Sequence, residues 1–411
     1  MKLDATQLEM LRAQLERLSK VEGGFYKRKL KGARLGSCDP QGEFEALPFT
    51  TKSELRDVYP LGISAVPERE ILRIHSSSGT TGTPIIIPYT KKDIDDWAVM
   101  FKRCYEMAGI TSMDRIHVTP GYGLWTAGIG FQLGAELLGA MVIPMGPGNT
   151  EKQIKMMIDL ESTVLCATSS FALLLAEEIE RRGIRDRIRL KKGVIGSERW
   201  GEKTRRRISG QLGIELYDIY GLTEIYGPGI GIACRCDAGM HCFDDYIYME
   251  IIDPKTGKNL PDGEWGELVI TTLQKEGAPL IRYRTHDLTR IIPGVCECGC
   301  ENTRIDTLIG RTDDMIKVKG VNIYPGQVED VLRDIDGVSS EYRIQINRVS
   351  GKDEMTLVFE TDPGFEQDAM EHTVRSMFKS RVGLTVIPSA VPLGVLPRSE
   401  KKTARVQDNR N

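Results

Sequence analysis

The sequence predicts an α/β protein, with a large N-terminal domain of mixed sheets and flanking helices followed by a small α+β domain. From residue 71 onward, apolar strand-like runs alternate with helical segments. This alternation is typical of a largely parallel sheet covered by helices on both faces. Beyond about residue 310 the pattern changes to short strands and two helices over about a hundred residues, a usual domain size. We therefore predict domains at 1–310 and 311–411.

The individual elements follow from apolar spacing and capping residues. Leu8, Leu11, Leu15 and Leu18 recur at helical spacing near the N-terminus, and Thr51 is placed to cap a short helix. Longer patterns predict helices at 91–107, 151–160, 326–335 and 367–379, and strands at 71–74, 85–87, 141–144, 163–167, 315–318, 342–346 and 355–359.

Charge and cysteine content restrict the classes of partner. The 55 Lys and Arg nearly balance 58 Asp and Glu, and a net charge of −3 provides no field that favours nucleic acid or an anionic membrane. No stretch is apolar enough to span a bilayer, and the N-terminal helix does not resemble a signal peptide. A cytoplasmic location is therefore expected, where the nine cysteines would be thiols or metal ligands rather than disulfides.

A loop rich in Ser, Thr and Gly lies between two predicted strands at residues 75–84, with the sequence His-Ser-Ser-Ser-Gly-Thr-Thr-Gly-Thr-Pro. Small residues allow backbone N–H groups to converge on an anion, and hydroxyl groups add donors. The loop lacks the Gly-Lys-Ser/Thr of a Walker loop. It predicts a phosphate-binding site, while a flexible hairpin is the alternative on composition alone.

The order of residues in this loop resembles the phosphate loop of the adenylate-forming superfamily, which includes acyl-CoA synthetases, adenylation domains and luciferases. Three further motifs resemble those of the superfamily: Tyr-Gly-Leu-Thr-Glu at 220–224, Tyr-Arg-Thr-His-Asp at 283–287 and Gly-Arg-Thr-Asp-Asp-Met-Ile-Lys at 310–317. Within the superfamily the chain is most similar to the phenylacetate-CoA ligase family, from about residue 45 to the C-terminus, on segments 48–55, 73–75, 122–126, 134–136 and 396–400. Two departures are Thr83, where many members have Lys, and Lys401, where the family has Gly.

The resemblance implies an adenylate-forming N-terminal domain and a mobile C-terminal domain. The implied activity is ATP-dependent activation of a small aryl acid as its acyl-adenylate, followed by transfer to coenzyme A. Transfer to a carrier-protein thiol or an amine is an alternative. A non-catalytic nucleotide sensor is another, although Glu224, Asp287 and Lys402 together argue against it. A homodimer is suggested by the resemblance alone.

The resemblance also assigns residues to the nucleotide. Donors, Mg²⁺ and a lysine stabilise charge that develops on transferring phosphoryl oxygens. Lys402 is the expected lysine, with Lys401 as the alternative, and Asp313 is the expected hinge about which the C-terminal domain rotates. The remaining assignments are Ser77, Ser78, Gly79, Thr80, Thr81 and Gly82 for the phosphates; Thr223 and Glu224 for the α-phosphate and Mg²⁺; Gly196, Ser197, Glu198 and Tyr220 for adenine; Asp287 for the ribose; and Gly221 and Arg311 for the nucleotide.

The acid is expected to bind at residues 121–130, where aromatic residues and glycines alternate. This composition suits a flat apolar pocket, although a helix-packing segment is the alternative. Ala127 replaces a glycine common in relatives, and phenylacetate, benzoate-like and indole-containing acids fit equally well. The predicted pocket residues are Tyr122, Gly123, Trp125, Ala127 and Gly128.

Two clusters of cysteine and histidine predict a metal site. Soft ligands in two distant segments suggest one tetrahedral Zn²⁺ that joins two loops and has a structural role. The resemblance favours four ligands, Cys234, His241, Cys296 and Cys298. The substitutes are Cys236, Cys242 and Cys300, and free thiols are the alternative reading.

Overall fold

The computed structural model of the protein describes residues 2–33, 35–36, 38–77, 83–198, 200–349, 351–398 and 405–410. The helices within these residues are α1 (Ala5–Lys20), α2 (Phe25–Lys29), α3 (Pro40–Glu45), α4 (Lys52–Asp57), α5 (Lys91–Met107), α6 (Ala127–Leu138), α7 (Thr150–Asp159), α8 (Ser169–Arg181), α9 (Glu202–Leu212), α10 (Pro325–Arg333) and α11 (Gln367–Val382). The strands are β1 (Arg73–Ser76), β2 (Ile86–Tyr89), β3 (Arg115–Val118), β4 (Met141–Pro144), β5 (Val164–Thr168), β6 (Lys192–Gly196), β7 (Glu215–Leu222), β8 (Gly227–Ala233), β9 (Met240–Cys242), β10 (Ile247–Ile252), β11 (Gly266–Thr272), β12 (Tyr283–Thr289), β13 (Ile291–Ile292), β14 (Arg304–Ile305), β15 (Gly310–Arg311), β16 (Ile316–Val318), β17 (Val321–Ile323), β18 (Val338–Val349), β19 (Lys352–Thr361), β20 (Ile387–Pro392) and β21 (Val406–Asp408).

A nine-stranded sheet with the order β13-β14-β9-β8-β7-β6-β5-β3-β4 forms the centre of the N-terminal part. The five strands from β7 to β4 pair in parallel, as the sequence predicts. The other four join through antiparallel pairings, which the sequence analysis did not anticipate. Only residues 223–226 connect β7 to β8, and a parallel return would need a crossover of a dozen or more residues. The short connection, which includes Thr223 and Glu224 of the 220–224 motif, therefore reverses the direction of the chain.

Two smaller sheets complete this part of the molecule. Strands β10, β11, β12 and β15 form an antiparallel sheet, and β1 pairs with β2 as a separate hairpin, apart from the central sheet. Helix α1 packs on the shared core through Leu11, Leu15 and Leu18, which confirms the predicted N-terminal helix. Thr51 and Glu54 form a capping box at the start of α4, also as predicted.

The C-terminal part has its own apolar core, built on an antiparallel β18–β19 pair flanked by β20 and β21 and covered by α10 and α11. The first buried residue of this core along the chain is Ile316. Strand β15 pairs with β12, so residues 310–311 lie on the sheet of the N-terminal part. The fold confirms the predicted class, whereas the boundary at 310/311 stays a prediction.

The two parts contact each other where α9 approaches the start of β18. Across the described residues, the structure contains no helix with the length and apolar character that crossing a membrane requires.

Candidate active site

Several of the predicted nucleotide residues lie at the carboxyl ends of the parallel strands β6 and β7, where ligands bind in open α/β sheets. Gly196 ends β6, and Thr223 with Glu224 directly follows β7. The antiparallel hairpin of β1 and β2 lies close to this edge. The Tyr89 hydroxyl, on β2, donates to the Thr223 carbonyl at 3.5 Å. The end of β2 and the β7 motif are therefore neighbours.

Ser77 closes the base of the phosphate loop. Its N–H donates to the Ile85 carbonyl at 3.0 Å, and its hydroxyl accepts from the Ile85 N–H at the same distance. The next residues, Ser78, Gly79, Thr80, Thr81 and Gly82, lie outside the described residues. Ser76 N–H donates to the Leu124 carbonyl at 2.9 Å, so the loop base also touches the predicted acid-binding segment.

Glu224 is 4% exposed and is paired with a side chain from another element. Lys52 Nζ, on α4, lies 3.1 Å from Glu224 Oε1. The Thr223 hydroxyl lies 3.4 Å from that of Thr126, beside the acid-binding segment. The Glu224 carboxylate and the Thr223 hydroxyl therefore lie next to each other. A carboxylate oxygen suits a hard cation, and a hydroxyl can donate to a phosphate oxygen. Sequence reasoning did not identify Lys52, although it lies in the 48–55 segment that carries the family resemblance.

Lys275 is a second residue that sequence reasoning missed. Its ammonium is fully buried, lies over the rings of Tyr89 and Tyr226 and donates to the Ile225 carbonyl. Burial lowers the pKa of Lys275 to about 7. The side chain supports the backbone that follows Glu224, and no local sequence pattern marks it.

Asp287 connects three of the predicted residues. The Tyr220 hydroxyl donates to Asp287 Oδ2 at 2.7 Å, and Arg311 Nη1 donates to Oδ1 at 2.7 Å. Arg311 also binds Asp313 through Nε at 2.9 Å and Nη2 at 3.1 Å. Burial raises the pKa of Asp287 above its usual value, although the positive charge of Arg311 acts to lower it. For Asp313, burial works against ionisation, but Arg311 holds its pKa below the usual value. The predicted ribose, nucleotide and hinge residues form one polar network.

The residues assigned to adenine and the neighbouring Gly221 surround the ends of β6 and β7. Ser197 adopts a left-handed backbone with φ 71°, and the Glu198 carboxylate accepts from the N–H and hydroxyl of Ser170 at 3.0 and 2.8 Å. A Cβ at Gly221 would lie 2.0 Å from the Gly227 carbonyl oxygen, so only glycine fits there. The Tyr220 hydroxyl is engaged by Asp287. Nucleotide contacts by these residues stay predictions.

The predicted acid-binding segment combines a tight backbone with an exposed indole. Gly128 N–H donates to the Gly121 carbonyl at 2.9 Å, and a Cβ at Gly128 would lie 2.8 Å from a ring carbon of Tyr122. Ala127 begins α6, Gly123 has φ 84°, and Trp125 is 52% exposed. The segment therefore contains two aromatic side chains, Tyr122 and Trp125. The buried Tyr122 hydroxyl forms no hydrogen bond with the described residues.

His75 lies behind the loop and the acid-binding segment. Its ring packs edge-on against Tyr89 and Trp97, and Nδ1 lies 3.3 Å from the Leu124 carbonyl oxygen. Burial lowers the pKa of His75 to about 4, so the ring is neutral at physiological pH.

Cys234, His241, Cys296 and Cys298 converge, with one potential ligand atom of each within 4.8 Å of the others. Cys234 Sγ lies 3.6 Å from Cys296 Sγ, and Cys298 Sγ lies 3.4 Å from His241 Nε2. Tetrahedral zinc, with Zn–S of about 2.3 Å and Zn–N of about 2.1 Å, requires separations of about 3.8 and 3.6 Å. His241 Nδ1 faces the Asn302 carbonyl at 3.4 Å, which leaves Nε2 for a metal. The residues fit zinc. The substitutes Cys236, Cys242 and Cys300 are outside this group.

Lys401 and Lys402 lie outside the described residues. The residues on both sides are well anchored. Arg398 binds Glu360 and Glu177, and Arg405 lies 3.3 Å from Glu341.

Comparison with protein families identifies the class. The model of the family described as AMP-binding enzyme matches residues 22–274, and that of the AMP-binding enzyme C-terminal domain matches residues 320–410. Phenylacetate-coenzyme A ligase of Escherichia coli is 41% identical over 94% of this chain and 90% of its own length. The same-named enzyme of Thermus thermophilus is 39% identical over 99% of this chain and 98% of its length. The chain therefore belongs to the phenylacetate-coenzyme A ligase family of AMP-binding enzymes.

Solved structures show a likeness that depends on conformational state. A crystal structure of 2-hydroxyisobutyryl-CoA ligase in the postadenylation state is 26% identical and superposes with a TM-score of 0.88 over all of this chain and 91% of that one. The thioesterification state of the ligase, 27% identical, superposes with a TM-score of 0.72 over 99% of this chain and 90% of that one. The arrangement of domains here is closer to the postadenylation state.

Proposed function

We propose that the protein is an ATP-dependent ligase that joins a small aryl acid, with phenylacetate as the first candidate, to coenzyme A through an acyl-adenylate. One observation carries the proposal: Glu224, which directly follows β7, is paired with Lys52, and Asp287 on β12 is bound by Tyr220 of β7 and by Arg311. Glu224 suits a hard cation beside the phosphates, and Asp287 suits two ribose hydroxyls. The named activity of the phenylacetate-coenzyme A ligase relatives supports the same reaction.

The reaction has two halves. A carboxylate oxygen of the acid attacks the α-phosphorus of ATP, and the bond to pyrophosphate breaks. The loop residues 77–82 and Lys402 stabilise charge on the phosphoryl oxygens, and Thr223 holds the α-phosphate. Glu224 would bind Mg²⁺, which neutralises phosphate charge. The thiolate of coenzyme A then attacks the acyl carbon, and AMP leaves.

We also propose that Cys234, His241, Cys296 and Cys298 bind a structural zinc ion. Four protein ligands leave no open coordination position, so the ion would join the segment after β8 to the segment before β14. The close match between the sulfur and nitrogen separations and a tetrahedron supports this assignment.

The decisive experiment measures pyrophosphate release from ATP and Mg²⁺ with a panel of aryl and short aliphatic acids, with and without coenzyme A. We expect multiple turnover with an aryl acid only when coenzyme A is present, together with formation of AMP and thioester. Acid-dependent release that is unaffected by coenzyme A would instead indicate a carrier-protein thiol or an amine as acceptor. ATP binding without any acid-dependent release would support the nucleotide sensor.

A further inference from the structure

The C-terminal domain is joined to the N-terminal domain by a partly buried ion pair between Glu177 on α8 and Arg398. Arg398 donates from Nε to Glu177 Oε2 and from Nη2 to Glu177 Oε1, both at 2.8 Å. The opposite side of the guanidinium binds Glu360 on β19 at 2.9 and 2.8 Å. One arginine thus connects an acid of its own domain with an acid of the other domain.

Helix α9 adds a second set of contacts beside this pair. Arg207 donates to Glu177 Oε1 at 2.5 Å and to the Ser340 hydroxyl at 2.8 Å. Lys203 donates to the carbonyls of Leu332, at 3.0 Å, and Ile335, at 2.7 Å. The contacts are polar and directional, so they specify one orientation of the C-terminal domain.

The arrangement of charges allows the contact to open without leaving a buried ion unpaired. Arg398 is 8% exposed and Glu360 is fully buried, a setting in which loss of a sole partner is costly. If the domains separate, Arg398 keeps Glu360, and Glu177 keeps Arg207. Each half of the interface therefore retains an ion pair of its own, as a reversible contact requires.

The position of Arg398 relates this contact to catalysis. Arg398 directly precedes residues 399–404, which contain both candidate lysines, Lys401 and Lys402. The orientation in which the pair forms is closer to the postadenylation state of the related ligase than to its thioesterification state. The pair is thus made in the pose that serves the first half-reaction.

We propose that Glu177 and Arg398 are positioning residues that hold the C-terminal domain in one orientation during adenylation and release it for thioester formation. This inference rests on the proposed ligase function. It predicts that weakening the pair slows the first half-reaction selectively, because rotation away from the pose does not depend on it.

The test compares Glu177→Gln with a matched control, Glu178→Gln. Glu178 is the next residue on α8, but its partners Arg181 and Arg182 belong to the same domain. Adenylation is followed as single-turnover pyrophosphate release without coenzyme A, and thioester formation is started from supplied acyl-adenylate. We expect Glu177→Gln to slow adenylation about tenfold, as for loss of a partly buried charged hydrogen bond, with thioester formation unchanged or faster. Glu178→Gln should match the wild type in both.

Hydrogen exchange provides a readout that does not depend on turnover. In Glu177→Gln, amides at 338–341 and 396–398 should exchange faster than in Glu178→Gln. Wild-type adenylation rates in Glu177→Gln would overturn the inference, as would an equal loss in both half-reactions accompanied by a lower melting temperature. A wild type that makes no adenylate, with the exchange contrast intact, would refute the ligase function but leave the interdomain pair standing.

Discussion

Arg311 and Asp287 face each other across the β12–β15 pairing, with Nη1 and Oδ1 2.7 Å apart. The Tyr220 hydroxyl donates to the second oxygen of Asp287, and the other side of the Arg311 guanidinium binds Asp313. Arg311 therefore connects Asp287, the residue expected to bind ribose, with Asp313, the residue expected to act as the hinge.

Asp287→Asn should raise the KM for ATP by about tenfold or more. The amide preserves size but removes the charge that attracts Arg311 and accepts from two hydroxyls at once. Steady-state kinetics at saturating acid and coenzyme A measure the change. Asp306→Asn is the control, because Asp306 forms an ion pair of similar length with Arg290, at 2.9 Å, and is not bound to Tyr220 or Arg311. An unchanged KM in Asp287→Asn would contradict the ribose assignment.

Lys402→Ala should reduce acid-dependent pyrophosphate release by about a hundredfold, because a positioned cation stabilises developing phosphoryl charge. ATP affinity, measured by calorimetry, should change little, since the contribution is made in the transition state. Lys401→Ala is the matched control and should remain near the wild type. The reverse pattern would assign the role to Lys401.

Several elements were predictable because their signals are local. Helix α5 begins and ends where the sequence predicts, since Thr90 and Asp93 form a capping box at its start. Strand β4 also has its predicted bounds. Strand β20 was missed, because Pro388 and Pro392 suppress the strand pattern and are tolerated at the edge of a sheet.

Contacts between residues that are far apart in the sequence were harder to predict from it. Lys52 and Glu224 are 172 positions apart, and the Glu177–Arg398 pair joins residues 221 positions apart, so no periodic pattern reports either. Two Cys/His clusters indicated a metal site from the sequence, because soft ligands in short segments are a local signal. The choice among seven candidate ligands came from the family resemblance, and the same four side chains converge in the fold.

Purified protein should contain about one equivalent of zinc per chain, measured by elemental analysis after dialysis. Cys298→Ser should lower the zinc content and the melting temperature together, since a structural ion contributes to folding free energy. Cys38→Ser is the control, because Cys38 is exposed and outside the cluster. Less than about a tenth of an equivalent in the wild type would refute the zinc assignment and leave four free thiol and imidazole groups.

Acid should destabilise the N-terminal domain through His117, which is buried on β3 and bonded to Gln153 at 2.6 Å and Ser162 at 3.2 Å. Burial lowers the pKa of His117 to about 4, although the bond to Gln153 opposes the shift. The unfolded chain binds a proton below about pH 6.5, whereas the folded chain does not until about pH 4. The unfolded state therefore gains protons first, and stability is lost as pH falls between these values.

At pH 5 this histidine should remove roughly 2 kcal/mol of unfolding free energy relative to pH 7. The measurement is urea unfolding followed by tryptophan fluorescence, since all four tryptophans precede residue 311 and report on the N-terminal domain. His75 has a similarly lowered pKa and contributes to the total in the wild type, so the comparison is made with His117→Gln. The variant should lose about 2 kcal/mol less than the wild type between the two pH values. An identical pH dependence in both proteins would show that His117 is not buried in its neutral form.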